Sequence, residues 1–216
     1  MRSSALSLFI AGVTALACAG PDSTDSSTDD TQDTTRPDDP ELDISGGSST
    51  GGARDANAIP ESVVSNSGIG GTTERGQSFV VGRTGSLTGV SIWIKRFSEG
   101  QDLTVDVRPT EVFDTDEGLA PVEDNGAALA TKVVTWGQID DEVDYLDVAF
   151  EVPIDVTVGQ TLAITARAAE TDDFHYGWMG GDDLYAGGAN CERATDNHEW
   201  GCGAYDFGFS VWIADP

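Results

Sequence analysis

SLTGVSIWIK, residues 86–95, decides the fold class. Val90, Ile92 and Ile94 recur at every second position of this segment. A period of two places alternate side chains on opposite faces of a β-strand, whereas an amphipathic helix repeats its apolar residues every three or four positions. The segment therefore predicts a strand with one buried face. Trp93 is out of phase with these residues, as is Trp212 with its neighbours, so both rings are expected to face outward or toward a second layer.

The same alternation recurs along the chain from about Ile59 onward. The alternating apolar residues, expected to face the core, are Leu103, Val105, Val107, Leu146, Val148, Phe150, Val152, Leu162, Ile164, Ala166, Phe207, Phe209, Val211 and Ile213. Strands are predicted at or within 77–82, 86–95, 102–109, 128–136, 145–152, 162–166, 174–179 and 207–213. Clusters of Gly, Pro, Asp and Asn separate them. The one helical candidate, NAIPESVV (57–64), is short and contains Pro60. About eight short strands without helices predict an all-β fold, an antiparallel β-sandwich of jelly-roll type, with an eight-stranded barrel as the alternative.

The N-terminal residues lack this pattern. A short apolar run after Arg2 predicts a signal peptide over residues 1–17, too short to span a membrane. The run ends in TALAC (14–18), which resembles a bacterial lipobox, so we expect Cys18 to be lipidated and to anchor the protein to a membrane. An ordinary signal peptide cut nearby is the alternative.

Residues 18–58 are dominated by Ser, Thr, Asp and Gly, with ten acidic residues against Arg36 and Arg54. Such a segment cannot bury enough apolar surface to offset the entropy lost on ordering. It predicts a disordered stalk that holds the β-sandwich domain, residues 59–216, away from the membrane. A calcium-binding acidic tract is the alternative interpretation.

The net charge of −27 argues against one class of partner. Binding to a phosphate backbone requires clustered Lys and Arg, so nucleic acid is not expected as a partner. An acidic excess suits a soluble, self-repelling surface. Together with the N-terminal segment, it predicts an extracytoplasmic lipoprotein at the cell surface or in the periplasm.

The order of the strand motifs is similar to one known family. RGQSFVVGRTGSLTGVSIWIK (75–95) is followed by DLTVDVRPT (102–110), YLDVAFEVPIDVTVGQTLAITA (145–166) and DFGFSVWI (206–213). Over about residues 74–214 this pattern resembles the choice-of-anchor R domain, a β-sandwich of secreted and surface bacterial proteins. The resemblance implies a surface domain carried by whichever anchor its host provides, here Cys18, and it implies no catalytic residues.

Cys191 and Cys202 bracket a ten-residue segment. In an exported protein this spacing predicts a disulfide, which stabilises by about 3 kcal/mol in the chain-entropy model. The alternative is a zinc site formed with His198 and His175, but the paired C-x₂₋₄-C spacing of structural zinc sites is missing.

YGWMGGDDLYAGGANC (176–191) is the main candidate for a ligand site. Its two Gly-Gly pairs predict tight reversals. Aromatic rings beside carboxylates are suited to gripping a sugar, since the ring stacks on C–H groups while the carboxylate accepts hydroxyl hydrogen bonds. The candidate residues are Trp178, Asp182, Asp183, Tyr185, Trp200 and Tyr205. The alternative is that these aromatics pack on one another to seal a glycine-rich loop.

An acidic loop supplies a candidate calcium site at Asp114, Asp116 and Glu117, because Ca²⁺ prefers oxygen ligands on flexible loops. A solvated hairpin tip is the alternative. Motifs for catalysis are absent from the sequence: there is no G-x-S-x-G, and Cys202 stands where a His198-Glu199 zinc-protease motif needs its second histidine.

The sequence thus predicts a non-enzymatic surface module that binds a glycan or another surface polymer through residues 176–205. A structural or adhesive module with protein partners is the first alternative, and a hydrolase that uses two carboxylates is the second.

Overall fold

The alternating segments form the strands of an antiparallel, open β-structure. The computed structural model describes residues 51–60, 65–112, 119–122, 127–169, 173–182, 184–194, 199–203 and 205–216. The predicted signal peptide, Cys18 and most of the predicted stalk lie outside these ranges. The strands are β1 (Ala53–Ala58), β2 (Ser65–Gly70), β3 (Thr73–Val80), β4 (Gly85–Arg96), β5 (Leu103–Val112), β6 (Leu119–Pro121), β7 (Ala130–Val134), β8 (Asp144–Val156), β9 (Thr161–Arg167), β10 (Phe174–Asp182), β11 (Asn190–Ala194), β12 (Trp200–Gly203), β13 (Tyr205–Phe207) and β14 (Phe209–Ala214). A 3₁₀ turn spans Trp136–Gln138.

Eight strands build two four-stranded layers. The first layer has the order β1-β14-β4-β8 and the second has the order β3-β9-β5-β7, with every pair antiparallel. Counted along the chain among these eight strands, the orders are 1-8-3-6 and 2-7-4-5, which is the double Greek key of a jelly roll. The predicted all-β sandwich is therefore confirmed, and the barrel alternative is wrong because the sheet is open.

The remaining strands connect and cover these layers. β10 pairs with the last residues of β4 and with β2, whose hairpin leads into β3. β13 and β14 together form one closing strand that changes partner at Gly208. There the Gly208 N–H donates to Met179 O at 2.8 Å, and the Gly208 carbonyl accepts from the Trp93 N–H at 2.9 Å. A Cβ at position 208 would lie 2.7 Å from Trp93 Cβ, so the close approach of these strands requires glycine.

The inward-facing residues of both layers form one core. The predicted buried positions that are at most 2% exposed are Val90, Ile92, Ile94, Leu103, Val105, Val107, Val148, Leu162, Ile164, Ala166, Phe207, Phe209, Val211 and Ile213. Full burial of one such aliphatic or aromatic side chain contributes roughly 1.5–3 kcal/mol. The alternation fails at Val152, which is 76% exposed. β8 has more residues between Ala149 and Ile154 than β4 has between their partners Gly89 and Leu87, so the alternation of β8 is interrupted there.

The structure corrects the boundary between stalk and domain. Residues 53–58, predicted to belong to the stalk, form β1 and pair with the closing strand β14. Only Ala56 and Ala58 of β1 are buried, so its apolar alternation is weak in the sequence. The other strands missing from the prediction are β2, β6, β11, β12 and β13, which are three to six residues long and also weakly patterned.

Candidate functional site

Two aromatic side chains predicted to hold a ligand are packed inside the domain. Trp178 is fully buried: its ring stacks on Phe207 with centroids 4.8 Å apart, and its Nε1 donates to Gly208 O at 3.0 Å. Trp200 is 2% exposed and packs beside Cys191. Neither ring offers a face to a ligand. The predicted platform is therefore wrong at these two residues, which pack in the interior on Phe207 and beside Cys191.

The other predicted ligand residues have mixed environments. Asp182 is exposed and lies directly opposite Tyr205, which is 52% exposed, in the β10–β13 pair. Tyr185 is half-buried, and its hydroxyl donates to Val80 O at 3.2 Å. Burial raises the pKa of Tyr185. Asp183 lies outside the described residues. Among the described candidate residues, the structure thus brings one exposed ring and one carboxylate together at this end of β10.

The predicted reversal forms at the second Gly-Gly pair but not at the first: Ala186 and Gly187 lie in a turn, in which the Gly188 N–H donates to Tyr185 O at 3.3 Å. Residues 180–181 continue β10 as extended backbone, and no glycine of either pair has a positive φ. A Cβ at Gly180 would lie 2.3 Å from Asp206 O, and a Cβ at Gly188 would lie 1.9 Å from Ser78 O. These glycines therefore permit close approach between backbones, which the sequence pattern does not distinguish from a turn.

The predicted disulfide is present. Cys191 and Cys202 are bonded across directly opposed positions of β11 and β12. Their thiolates are consequently unavailable to a metal ion, so the zinc alternative is wrong. His175, the second histidine of that alternative, instead has its Nδ1 2.6 Å from the hydroxyl of Ser98.

The calcium prediction falls on residues that the structure does not describe. Asp114, Asp116 and Glu117 lie outside the described ranges, as does His198. Within the described ranges, no group of three or more His, Cys, Asp or Glu is arranged to hold a metal ion.

A different aromatic surface is open to solvent on the outward side of the first layer. We define this aromatic face as Trp93, Phe97, Tyr145, Phe174 and Trp212, with Arg54 and Lys95 beside them. Phe97 is 43% exposed and Phe174 is 53% exposed. Trp93 stacks on Tyr145 with centroids 6.2 Å apart and an interplanar angle of 18°. The outward orientation predicted for Trp93 and Trp212 is confirmed, since both rings are only half-buried.

Two opposed glycines form the floor beneath the exposed phenyl rings. Gly68 on β2 and Gly177 on β10 lie directly opposite each other. A Cβ at Gly68 would lie 2.6 Å from the ring of Phe174, and a Cβ at Gly177 would lie 2.6 Å from the ring of Phe97. The two rings therefore occupy space that is open only because positions 68 and 177 are glycine, and each residue stays about half exposed to water.

Cations lie against the rings of this face. The guanidinium of Arg54 is 5.3 Å from the ring centroid of Trp212, and the Lys95 ammonium is 5.0 Å from that of Phe97. Burial raises the pKa of Tyr145 to about 12, while the positive charge of Arg54 acts in the opposite direction. Arg54 is thus close enough to Tyr145 for their charges to interact.

Polar groups lie between these rings. The Trp212 Nε1 donates to the Ser91 hydroxyl at 2.8 Å, and that hydroxyl in turn donates to the exposed carboxylate of Asp147. The aromatic face therefore also carries one acidic group, which is held by a neutral partner.

The outward side of the second layer is different, because it is covered and charged. We call this the covered face: Glu74, Asp106, Arg108, Arg167 and Arg193. Glu74, Asp106 and Arg108 are at most 1% exposed. Arg108 Nη2 lies 2.9 Å from Asp106 Oδ2 and 3.4 Å from Glu74 Oε1, Arg193 Nε donates to Glu74 Oε2 at 3.2 Å, and Arg167 pairs with Asp106.

Strand β6 and the disulfide hairpin cover this face. β6 packs against β3, β9 and β12. A Cβ at Gly76 of β3 would lie 3.0 Å from Pro121 and 3.3 Å from the ring of Trp200. The covered face therefore belongs to the interior of the domain, where paired charges serve structure.

One further cavity lies at the open edge between β7 and β8. It has a volume of about 460 Å³ and is lined by Leu129, Val133 and Val152 among others. Its charged groups pair with each other, since Lys132 Nζ donates to Glu151 Oε1 at 3.1 Å. Its other lining residues are apolar apart from Thr131, whose hydroxyl donates to Asp106, so the aromatic face is the better candidate site.

No protein-family model matches the chain, and no curated protein matches it significantly. Within the described residues, no helix is long and apolar enough to cross a bilayer. Indications of function therefore come from the geometry of these surfaces.

Proposed function

We propose that the protein is an extracytoplasmic lipoprotein whose β-sandwich is a non-catalytic module that binds a polysaccharide through the aromatic face. The observation that carries the proposal is the exposure of Phe97 and Phe174 on a glycine floor. Other large rings of the domain, among them Trp178 and Tyr176, are fully buried. Exposed rings grouped on one surface are typical of a binding site.

The shape and chemistry of this surface suit sugars. Flat rings offer area for the C–H faces of a pyranose, and they lose little entropy because their orientation is already fixed by packing. Polar groups at the margin, such as Asn66 and Lys95, can exchange hydrogen bonds with hydroxyl groups. The resemblance to choice-of-anchor R domains and the predicted lipidation of Cys18 support a position at the cell surface.

The test is a polysaccharide panel with the purified, oxidised chain, read by affinity electrophoresis and calorimetry. We expect Phe97→Ala and Phe174→Ala each to weaken binding by about tenfold or more, since each removes one stacking surface. Tyr205→Ala is the matched control, because this ring is equally exposed but lies at the other end of β10. Binding unchanged in both Phe variants would refute the proposal, and loss only in Tyr205→Ala would return the site to residues 176–205.

A structural or adhesive module with protein partners is the second candidate. It is favoured by the exposed apolar residues Leu129, Val133 and Val152 at the open edge between β7 and β8. A panel without any polysaccharide ligand, together with self-association that Val133→Lys abolishes in analytical ultracentrifugation, would support this candidate.

A further inference from the structure

The few cations of this chain are distributed unevenly among carboxylates. The whole sequence has 38 acidic residues against 11 Lys and Arg. Six cations of the described residues lie within 4 Å of a carboxylate: Arg75, Arg83, Arg108, Lys132, Arg167 and Arg193. The other three cations of the described residues, Arg54, Lys95 and Arg96, form no ion pair. In so acidic a chain, a cation without a carboxylate is the exception.

Each of these three cations lies over an aromatic ring instead. Arg54 covers Trp212, Lys95 covers Phe97, and Arg96 lies 5.1 Å from the ring centroid of Trp136. An aromatic ring attracts a cation through its quadrupole but does not neutralise its charge. Arg54 and Lys95 therefore bring two uncompensated positive charges to the aromatic face.

The spacing of these two charges suits an extended ligand. Arg54 lies opposite Trp212 in the β1–β14 pair, and Trp212 lies opposite Gly89 in the β14–β4 pair. Lys95 is six residues after Gly89 on β4. At about 3.3 Å per strand residue the two positions are roughly 20 Å apart along the strand. Trp93 lies between them. A polymer with repeated negative groups can meet both charges, whereas a single small anion cannot.

We propose that the ligand of the aromatic face is an acidic polysaccharide of the uronate class. Its carboxylates pair with Lys95 and Arg54, while its sugar rings lie against Phe97, Phe174 and Trp93. This inference rests on the proposed function, because it names the chemical class of ligand for the same site. The acidic remainder of the surface repels a polyanion, so binding is confined to this face. Asp147 repels it locally as well.

The experiment compares polymers that differ only in charge. The oxidised chain is titrated with polygalacturonate and with fully methyl-esterified polygalacturonate, and then with alginate and carboxyl-reduced alginate. We expect at least one acidic polymer to bind about tenfold or more tightly than its neutral form. Lys95→Gln and Arg54→Gln are each expected to remove most of that preference. Lys132→Gln is the matched control, because this lysine is paired with Glu151 on another edge, and it is expected to change nothing.

The outcomes separate the inference from the function on which it rests. Equal binding of acidic and neutral forms that Phe97→Ala abolishes overturns the inference and leaves the proposed function intact. Failure to bind either acidic polymer also overturns the inference. If the broader polysaccharide panel is silent too, the proposed function falls with it. A preference for acid that survives in the Lys95→Gln, Arg54→Gln double variant assigns the charge recognition to another surface and refutes the proposal.

Discussion

The outward faces of the two layers differ in whether their charged side chains form ion pairs. On the covered face, five charged side chains pair with one another, and Glu74, Asp106 and Arg108 are nearly inaccessible to water. On the aromatic face, Arg54 and Lys95 lie on rings and form no ion pair with any described residue. Both faces belong to the same jelly roll, so the fold alone does not determine the difference.

The difference arises because β6 and the disulfide hairpin cover one face, while the aromatic face is open to water. A charge beneath β6 has lost its water and must find opposite charge, because an unpaired buried ion costs several kcal/mol. A cation on an open face keeps its hydration and needs no partner for stability. Ion pairs on the covered face are therefore required by folding, whereas cations without carboxylates on the aromatic face are compatible with folding and available for a ligand.

The largest effect is expected from breaking the buried pairs. Glu74→Gln leaves Arg108 and Arg193 short of a compensating charge in the interior, and we expect a loss of about 3–5 kcal/mol in the free energy of unfolding. Urea denaturation measures this loss. Glu192→Gln is the matched control, because its pair with Arg75 leaves Glu192 65% exposed, and it should cost at most about 1 kcal/mol. Equal costs for the two variants would contradict the distinction between covered and open surfaces.

A smaller effect is expected from opening the hairpin that helps cover this face. Replacing both Cys191 and Cys202 with Ala removes a bridge of sequence separation 11, which should cost about 2–3 kcal/mol. Amide hydrogen exchange should rise in β6, β11 and β12, which pack together. It should stay unchanged in β2 and β10, beneath the aromatic face. Faster exchange spread evenly over both layers would show that the hairpin supports the whole sandwich.

Much of the fold follows from the sequence because buried strands alternate strongly. Seven of the eight jelly-roll strands are predicted, and residues such as Val105, Ile164 and Val211 are fully buried as expected. The eighth strand, β1, is missed. Its inward residues Ala56 and Ala58 give almost no hydrophobic signal, and its stability comes from pairing with β14, which no local pattern encodes.

The candidate site is less predictable because it depends on pairing between distant segments. Phe97 and Phe174 lie beyond or at the ends of their strands, where alternation carries little information. Their rings form a surface only because Gly68 and Gly177 meet across β2 and β10. The out-of-phase Trp93 and Trp212 are the local signals that identify this face. Conversely, Trp178 and Trp200 attract attention in a polar, glycine-rich segment, yet that segment packs inside the domain.

The smallest effect on the free energy of unfolding is expected from removing one hydroxyl group of the aromatic face. The Tyr145 hydroxyl is buried and has no hydrogen-bond partner among the described residues. Tyr145→Phe removes this unsatisfied group, so at pH 8 we expect the free energy of unfolding to stay constant or to rise by up to about 1 kcal/mol. Urea denaturation of both proteins checks this, with Tyr205→Phe as the exposed control. A loss beyond about 1 kcal/mol would mean that the hydroxyl has a partner.

The same variant has a defined signature at high pH. Burial raises the pKa of Tyr145 to about 12 in the folded state, above the unfolded value of about 10. The folded state therefore holds this proton more tightly, so its contribution to stability is complete below pH 10 and is lost as the pH rises through 12. Tyr176, whose pKa burial also raises to about 12, adds to this alkaline loss. Tyr145→Phe should consequently lose less stability between pH 8 and pH 11 than the parent chain. Identical losses would indicate that water reaches the Tyr145 hydroxyl, and that the aromatic face is open to solvent even beneath its stacked rings.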